Sequence, residues 1–149
     1  NFKHIDLLVN NAGIINLKPL LQYSEKDYEN IFDVNVKGAF LIAQKCISKM
    51  IISGGGYIIN IGSTRSITGA PNKSLYSMSK FALRSLSQCI NSEFKDHKIY
   101  STILCPGALD KDCNNPHLVQ LEDVVKTIRY LVNMDEGKSD VEIIIGGML

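Results

Sequence analysis

The strongest constraint in this chain is an alternation. Short, continuous apolar runs are separated by longer stretches in which apolar residues recur with the period of a helix. The runs occupy residues 5–9, 57–61, 99–105 and 141–145, and each of the first three ends at Asn, Gly or Pro. Runs of this length, with little polar alternation, are what strands buried on both faces require. Between the first two runs, Ser24 reads as a helix N-cap with Glu25 and Asp27 in the first turn, where the helix dipole favours acids. Helical spacing then continues to residue 53, with Gly38 dividing a short helix from a longer one and Gly54-Gly55-Gly56 as the stop. Residues 75–97 predict a second long helix, with Leu75, Met78, Ala82, Leu86, Cys89 and Ile90 along one side. A last helix is predicted over 121–134. Strands alternating with helices predict an α/β fold: a parallel sheet of about four strands covered by helices on both faces. The reading places all 149 residues in one domain, without internal repeats.

Composition narrows the function. Of the residues, 45% are apolar and the net charge is only +1. That balance argues against a disordered chain and offers no basic excess for a nucleic-acid partner. Cys46, Cys89, Cys105 and Cys113 form no C-x-x-C pair, and His4, His97 and His117 stand far apart, so no metal site is expected. The first three cysteines lie in apolar runs and read as small core residues of a reduced, cytoplasmic protein. The oily stretch 38–52 is broken by Gln44, Lys45 and Lys49, too short and too charged to cross a membrane.

In parallel α/β sheets, ligands gather beyond the carboxyl ends of the strands. Three small-residue turns are predicted there: Asn10-Asn11-Ala12-Gly13, Gly62-Ser63 and Pro106-Gly107. Any one such turn needs Gly and Asn for conformational reasons alone. Three at one edge allow a flat ligand to approach the backbone. Tyr76 and Lys80 stand four residues apart and so share a helix face, about 5–6 Å apart at Cβ. A nearby ammonium favours phenolate, which makes Tyr76 a candidate to exchange a proton with a carbonyl or alcohol oxygen. Ser63, upstream at the same edge, could hydrogen-bond that oxygen, although a Ser after Gly is also a common cap. No G-x-S-x-G stands in the chain, which argues against an acyl-transfer enzyme.

In this order and spacing, Asn10-Asn11-Ala12-Gly13, Asn35, Ser63, Tyr76-Ser77-Met78-Ser79-Lys80 and Pro106-Gly107 resemble the short-chain dehydrogenase/reductase family, over residues 5–145. The resemblance implies a Rossmann-type, doubly wound parallel sheet and an oxidoreductase that moves a hydride between NAD or NADP and a ketone or secondary alcohol. It implies Tyr76 as acid/base, Lys80 as the group that lowers its pKa and holds the nicotinamide ribose, and Ser63 as the group orienting the substrate oxygen. Asn35 would support a proton-relaying water. Asn10, Ala12 and Gly13, together with Pro106 and Gly107, would border the cofactor. The two long helices, 38–53 and 75–97, would pair between copies in a homo-oligomer.

Two departures stand out. Ala108-Leu109-Asp110-Lys111 replaces the family's usual Thr after Pro-Gly, and the loop 112–120 is short. No G-x-x-x-G-x-G precedes Asn10. The resemblance therefore implies that about two and a half βα units, some 70–80 residues at about 30 per unit, precede residue 5 in a complete member. The residue choosing NAD over NADP would lie there, and the strand at 5–9 would present an apolar edge. A different reading stays open: a non-catalytic remnant or an interaction module. The substrate beyond a carbonyl–alcohol pair is not legible.

Overall fold

A computed structural model describes residues 3–110, 115, 117–134 and 141–146. Its elements run β1 (Leu7–Asn10), α1 (Glu25–Phe32), a π-helical turn (Asp33–Gly38), α2 (Ala39–Ser53), β2 (Gly56–Ile61), a 3-10 turn (Thr64–Ser66), α3 (Ser74–Phe94) and β3 (Ile99–Pro106). Two short strands follow, β4 (Leu109–Asp110) and β5 (Val119–Gln120), then α4 (Leu121–Val132) and β6 (Val141–Ile145). Four strands form one parallel sheet in the order β1-β2-β3-β6. The α/β expectation holds, and the four predicted runs are its four strands. The β4–β5 pair has no counterpart in the sequence reading, because two-residue strands are too short to show a period.

Register places Asn10 beside Asn60, Ile61 beside Leu104, and Pro106 beside Ile145. Successive strand residues face opposite sides. Ile58 and Ile99 pack with Ala43, Cys46, Ile47, Met50 and Ile90 under α2 and α3. Tyr57, Ile59, Ile61 and Leu104 pack with Leu131 of α4 on the other face. Each such side chain, fully buried, contributes roughly 1.5–3 kcal/mol. β1 is the edge, and Leu7 and Val9 are 38% and 36% exposed, as the expected apolar edge requires.

Local chemistry sets the helix ends. Ser24 caps α1: its Oγ accepts from the Asp27 N–H at 3.2 Å, and Asp27 Oδ2 accepts from the Ser24 N–H at 2.9 Å. Gly54 ends α2 in the left-handed region, φ 87°, which costs a glycine little.

Two expectations are corrected. The apolar stripe picked out by period is only part of the inward face of α3: Leu75 and Ile90 are buried and Leu86 packs on the core, as expected. Met78 is 50% exposed and Cys89 is exposed, whereas Ser77, Ser79, Lys80, Ser87 and Asn91 are buried. Three of these are held by strand residues: Asn60 Nδ2 donates to Ser87 Oγ at 2.8 Å, Asn91 Nδ2 donates to the Ser101 carbonyl at 2.7 Å, and Lys80 Nζ donates to the Ile61 carbonyl, whereas Ser77 Oγ is buried without a hydrogen-bond partner among the described residues. Cys89 is accordingly no core residue. Lys111 and Cys113 lie outside the described residues, as does most of the short loop after Asp110. Among the described residues no helix is long and apolar enough to cross a membrane, and no cluster of three or more His, Cys, Asp or Glu gathers.

Candidate active site

Because the strands are parallel, the turns after β1, β2 and β3 emerge at one edge. The ladder reaches slightly past the strand ends: the Gly62 N–H donates to the Leu104 carbonyl at 2.7 Å, and that of Gly107 to the Ile145 carbonyl at 2.9 Å. At Gly62 a Cβ would stand 2.7 Å from Ser66 Oγ and 2.9 Å from Ile103 Cδ1, so only glycine lets the Thr64–Ser66 turn fold onto β3. Ser63 opens that turn. Its Oγ accepts from the Arg65 N–H at 3.2 Å, and its own N–H donates to Ser66 Oγ at 3.2 Å. The Ser63 side chain and the Arg65 charge both favour the ionised Tyr76 phenol.

Tyr76 and Lys80 sit one turn apart in α3. Lys80 is only 4% exposed, and its Nζ donates to the Ile61 carbonyl at 2.8 Å, at the end of β2. The same Nζ lies 5.8 Å from the centroid of the Tyr76 ring. Burial pulls Lys80 down from 10.5 to about 8, with Cys105 opposing. Burial pushes the Tyr76 phenol up, and the Ser63 side chain and then the Arg65 charge pull it back. This balance differs from the resemblance. The groups favouring phenolate here are Ser63 and Arg65, while Lys80 spends its ammonium on a backbone carbonyl and is itself disfavoured as a cation.

Asn35 occupies the π-helical turn, whose wider winding projects one side chain inward. It is fully buried. Its Oδ1 accepts from the Ile14 N–H at 2.7 Å, and its Nδ2 donates to the Ile14 carbonyl at 2.9 Å and to Ser79 Oγ at 3.0 Å. Ser79 Oγ in turn donates to the Tyr76 carbonyl at 2.7 Å. The clamp on Ile14 brings Gly13 alongside: a Cβ there would fill the space 3.4 Å from Asn35 Oδ1 and 3.5 Å from Lys80 Nζ.

Gly13, Asn35, Ser63, Tyr76 and Lys80 are thus brought together, with Ala12 beside them in the turn. Pro106 and Gly107 stand at the same edge, at the end of β3. Asn10 does not join them through its side chain. Its Nδ2 donates inward to Asn60 Oδ1 at 2.8 Å and to the Ala39 carbonyl at 3.5 Å, so this amide braces the sheet beneath the turn. The sequence reading gave Ser79, Arg65 and Cys105 no role in the site. Ser79 stands three residues after Tyr76 and shares its helix face, which was the one available signal. Nothing in the sequence brings Arg65 or Cys105 to Tyr76 and Lys80.

A family model described as short chain dehydrogenase matches residues 1–120. The chain is 36% identical over 107 residues to 2-dehydro-3-deoxy-D-gluconate 5-dehydrogenase of Escherichia coli, covering 71% of this chain and 42% of that protein. Among solved structures it superposes on acetoin dehydrogenase from Enterobacter cloacae with TM-score 0.88 and 31% identity, over 97% of this chain and 63% of that one. A 4-hydroxyisoleucine dehydrogenase complexed with NADH and succinate gives TM-score 0.86 at 25% identity, over 95% of this chain and 66% of that one. The chain spans less than half the length of the curated relative.

Proposed function

The chain belongs to the short-chain dehydrogenase family, and from that premise we propose that it carries the proton-transfer machinery of an NAD- or NADP-dependent oxidoreductase acting on a small ketone or secondary alcohol. The observation carrying this reading is the convergence of Ser63, Tyr76 and buried Lys80 at the carboxyl edge of the sheet, with Lys80 Nζ 5.8 Å from the Tyr76 ring centroid and bonded to the Ile61 carbonyl. A nicotinamide, when bound, supplies or accepts the hydride. The residues of this chain handle the proton. Burial keeps the Tyr76 phenol neutral near pH 7, so it can give its proton to a carbonyl oxygen in reduction and recover one in oxidation. Ser63, whose side chain favours the ionised phenol, can bond the substrate oxygen through Oγ and hold it in line.

The fit to a dinucleotide rests on Gly13, whose missing Cβ leaves space beside the Lys80 ammonium. Lys80 would donate to ribose hydroxyls, with Ala12, Pro106 and Gly107 along the same edge. Asn35 would hold this wall through Ile14. A homo-oligomer is supported by the outward groove of about 740 Å³ between α2 and α3, lined by Phe40, Ile47, Leu86 and Phe94. A reducing, cytoplasmic setting is supported by the free thiols of Cys46, Cys89 and Cys105.

The test is oxidation of NADH and NADPH by the full-length protein with a panel of small ketones. Tyr76→Phe should lower kcat by about 10²–10⁴-fold, the range of a lost general acid, while cofactor binding persists. Near-parental turnover in that variant would remove Tyr76 from the chemistry. Absence of cofactor binding by the full-length protein would favour the interaction-module reading.

A further inference from the structure

We propose that Ser79 is a positioning residue: by bridging Tyr76 and Asn35 it sets the spacing between α3 and the turn at Asn10–Gly13. The proposal rests on the oxidoreductase reading for its kinetic test but not for its structural one. A serine in a helix that donates to the carbonyl three residues back is ordinary and carries no weight alone. The second contact carries it. The hydroxyl has one hydrogen, given to the Tyr76 carbonyl at 2.7 Å, so toward Asn35 it can only accept. That requires the Asn35 amide to present Nδ2, which it does at 3.0 Å.

With one Nδ2 hydrogen on Ser79, the other goes to the Ile14 carbonyl, and Oδ1 is left facing the Ile14 N–H. The Ser79 hydroxyl thus favours the same amide orientation that the Ile14 N–H and carbonyl require, and ties that clamp to α3. In the reversed orientation Oδ1 would face the Ile14 carbonyl and Nδ2 the Ile14 N–H, and both bonds would become repulsive pairs. Ile14 follows Gly13, whose backbone borders Lys80 Nζ and Asn35 Oδ1. Ser79 is fully buried, so no water replaces it without rearrangement. The two walls between which Lys80 works are thus tied by one Oγ.

Two measurements on the full-length protein decide it. In Ser79→Ala, hydrogen exchange at the Ile14 amide should quicken about tenfold or more, while Ile58 and Ile59 amides in β2 keep their rates. In turnover, Ser79→Ala should lower kcat/KM by about 10–100-fold, the scale of a misplaced site. Asn35→Ala should lower it at least as far, and the double variant should be no worse than Asn35→Ala alone. Multiplying losses, or an Ile14 amide that exchanges as before, would overturn the proposal. Should Ser79→Ala fail to fold, Ser79→Cys keeps nearly the volume with a much weaker acceptor. Parental kcat/KM and Ile14 exchange in that variant would overturn it equally. If the parent turns over no carbonyl with either nucleotide, the oxidoreductase reading fails, and the exchange experiment still judges Ser79.

Discussion

Two buried polar networks meet α3, built from nearly the same residue types, and they end differently. One is a ladder under the middle of the sheet. Asn10 donates to Asn60, Asn60 donates to Ser87 and to Ser101 Oγ at 3.2 Å, and Asn91 grips both the Ser101 N–H and its carbonyl. It runs from β1 through β2 to β3 and closes on itself. The other begins at Ile14, passes through Asn35 and Ser79 to Tyr76, and finishes at half-buried Ser63 and Tyr76 beside an exposed Gly13 turn. Both satisfy their polar groups, so burial of polar residues does not mark a site. What distinguishes the second network is that it ends at half-buried Ser63 and Tyr76, the groups proposed to handle the proton.

The largest test of this contrast is Asn60→Ala. It leaves partners on three elements unsatisfied inside the sheet–helix packing, so stability should fall by about 3 kcal/mol in urea denaturation. Turnover per folded molecule should stay close to parental. A large loss of kcat at undiminished stability would erase the distinction between ladder and site.

A smaller effect comes from Lys80. Its folded-state value, about 8, lies below the ordinary 10.5, so between those values the unfolded chain holds a proton that the folded chain has released. Stability attributable to Lys80 therefore rises with pH across that window, by up to about 1.4 kcal/mol per unit. Buried Cys46 and Cys105, whose thiols are pushed up by burial, act the other way above about pH 9. Lys80→Met isolates the contribution: the difference between parent and variant should change between pH 8 and 10. A constant difference would show that Lys80 titrates normally.

The smallest effect is at Arg65, whose Nη1 donates to the Gly69 carbonyl at 2.9 Å and whose charge favours the Tyr76 phenolate. Arg65→Gln should move the alkaline rise of alcohol oxidation to higher pH by about a few tenths of a unit. An acid shift would rule out that electrostatic role.

How much of this was legible differs from residue to residue. The strands were, because buried parallel strands must be continuous and apolar. Ser24 and Gly54 were legible as helix ends, since caps are set by the residue and its nearest neighbours. Tyr76 and Lys80 were legible as a pair because four residues close one helical turn. The exposure of Met78 and Cys89 was not. A helical period identifies a face, but the strands packed against it decide whether that face takes isoleucine or serine. The inward turn of Asn10 was equally hidden, because its partner Asn60 is fifty residues away and meets it only through strand register.

The sequence by itself therefore determined the class of fold, the ordered motif set, and which helix turn holds the candidate acid and its lysine. These follow from local geometry: the period of two in a strand, 3.6 in a helix, and the conformations that Gly and Asn permit. Only the tertiary structure shows that the Asn10 amide braces the sheet, that Ser79 bridges Asn35 and Tyr76, and that burial pulls Lys80 down while it pushes Tyr76 up. Those outcomes depend on desolvation and on contacts between distant segments. Neither can be computed from neighbours along the chain.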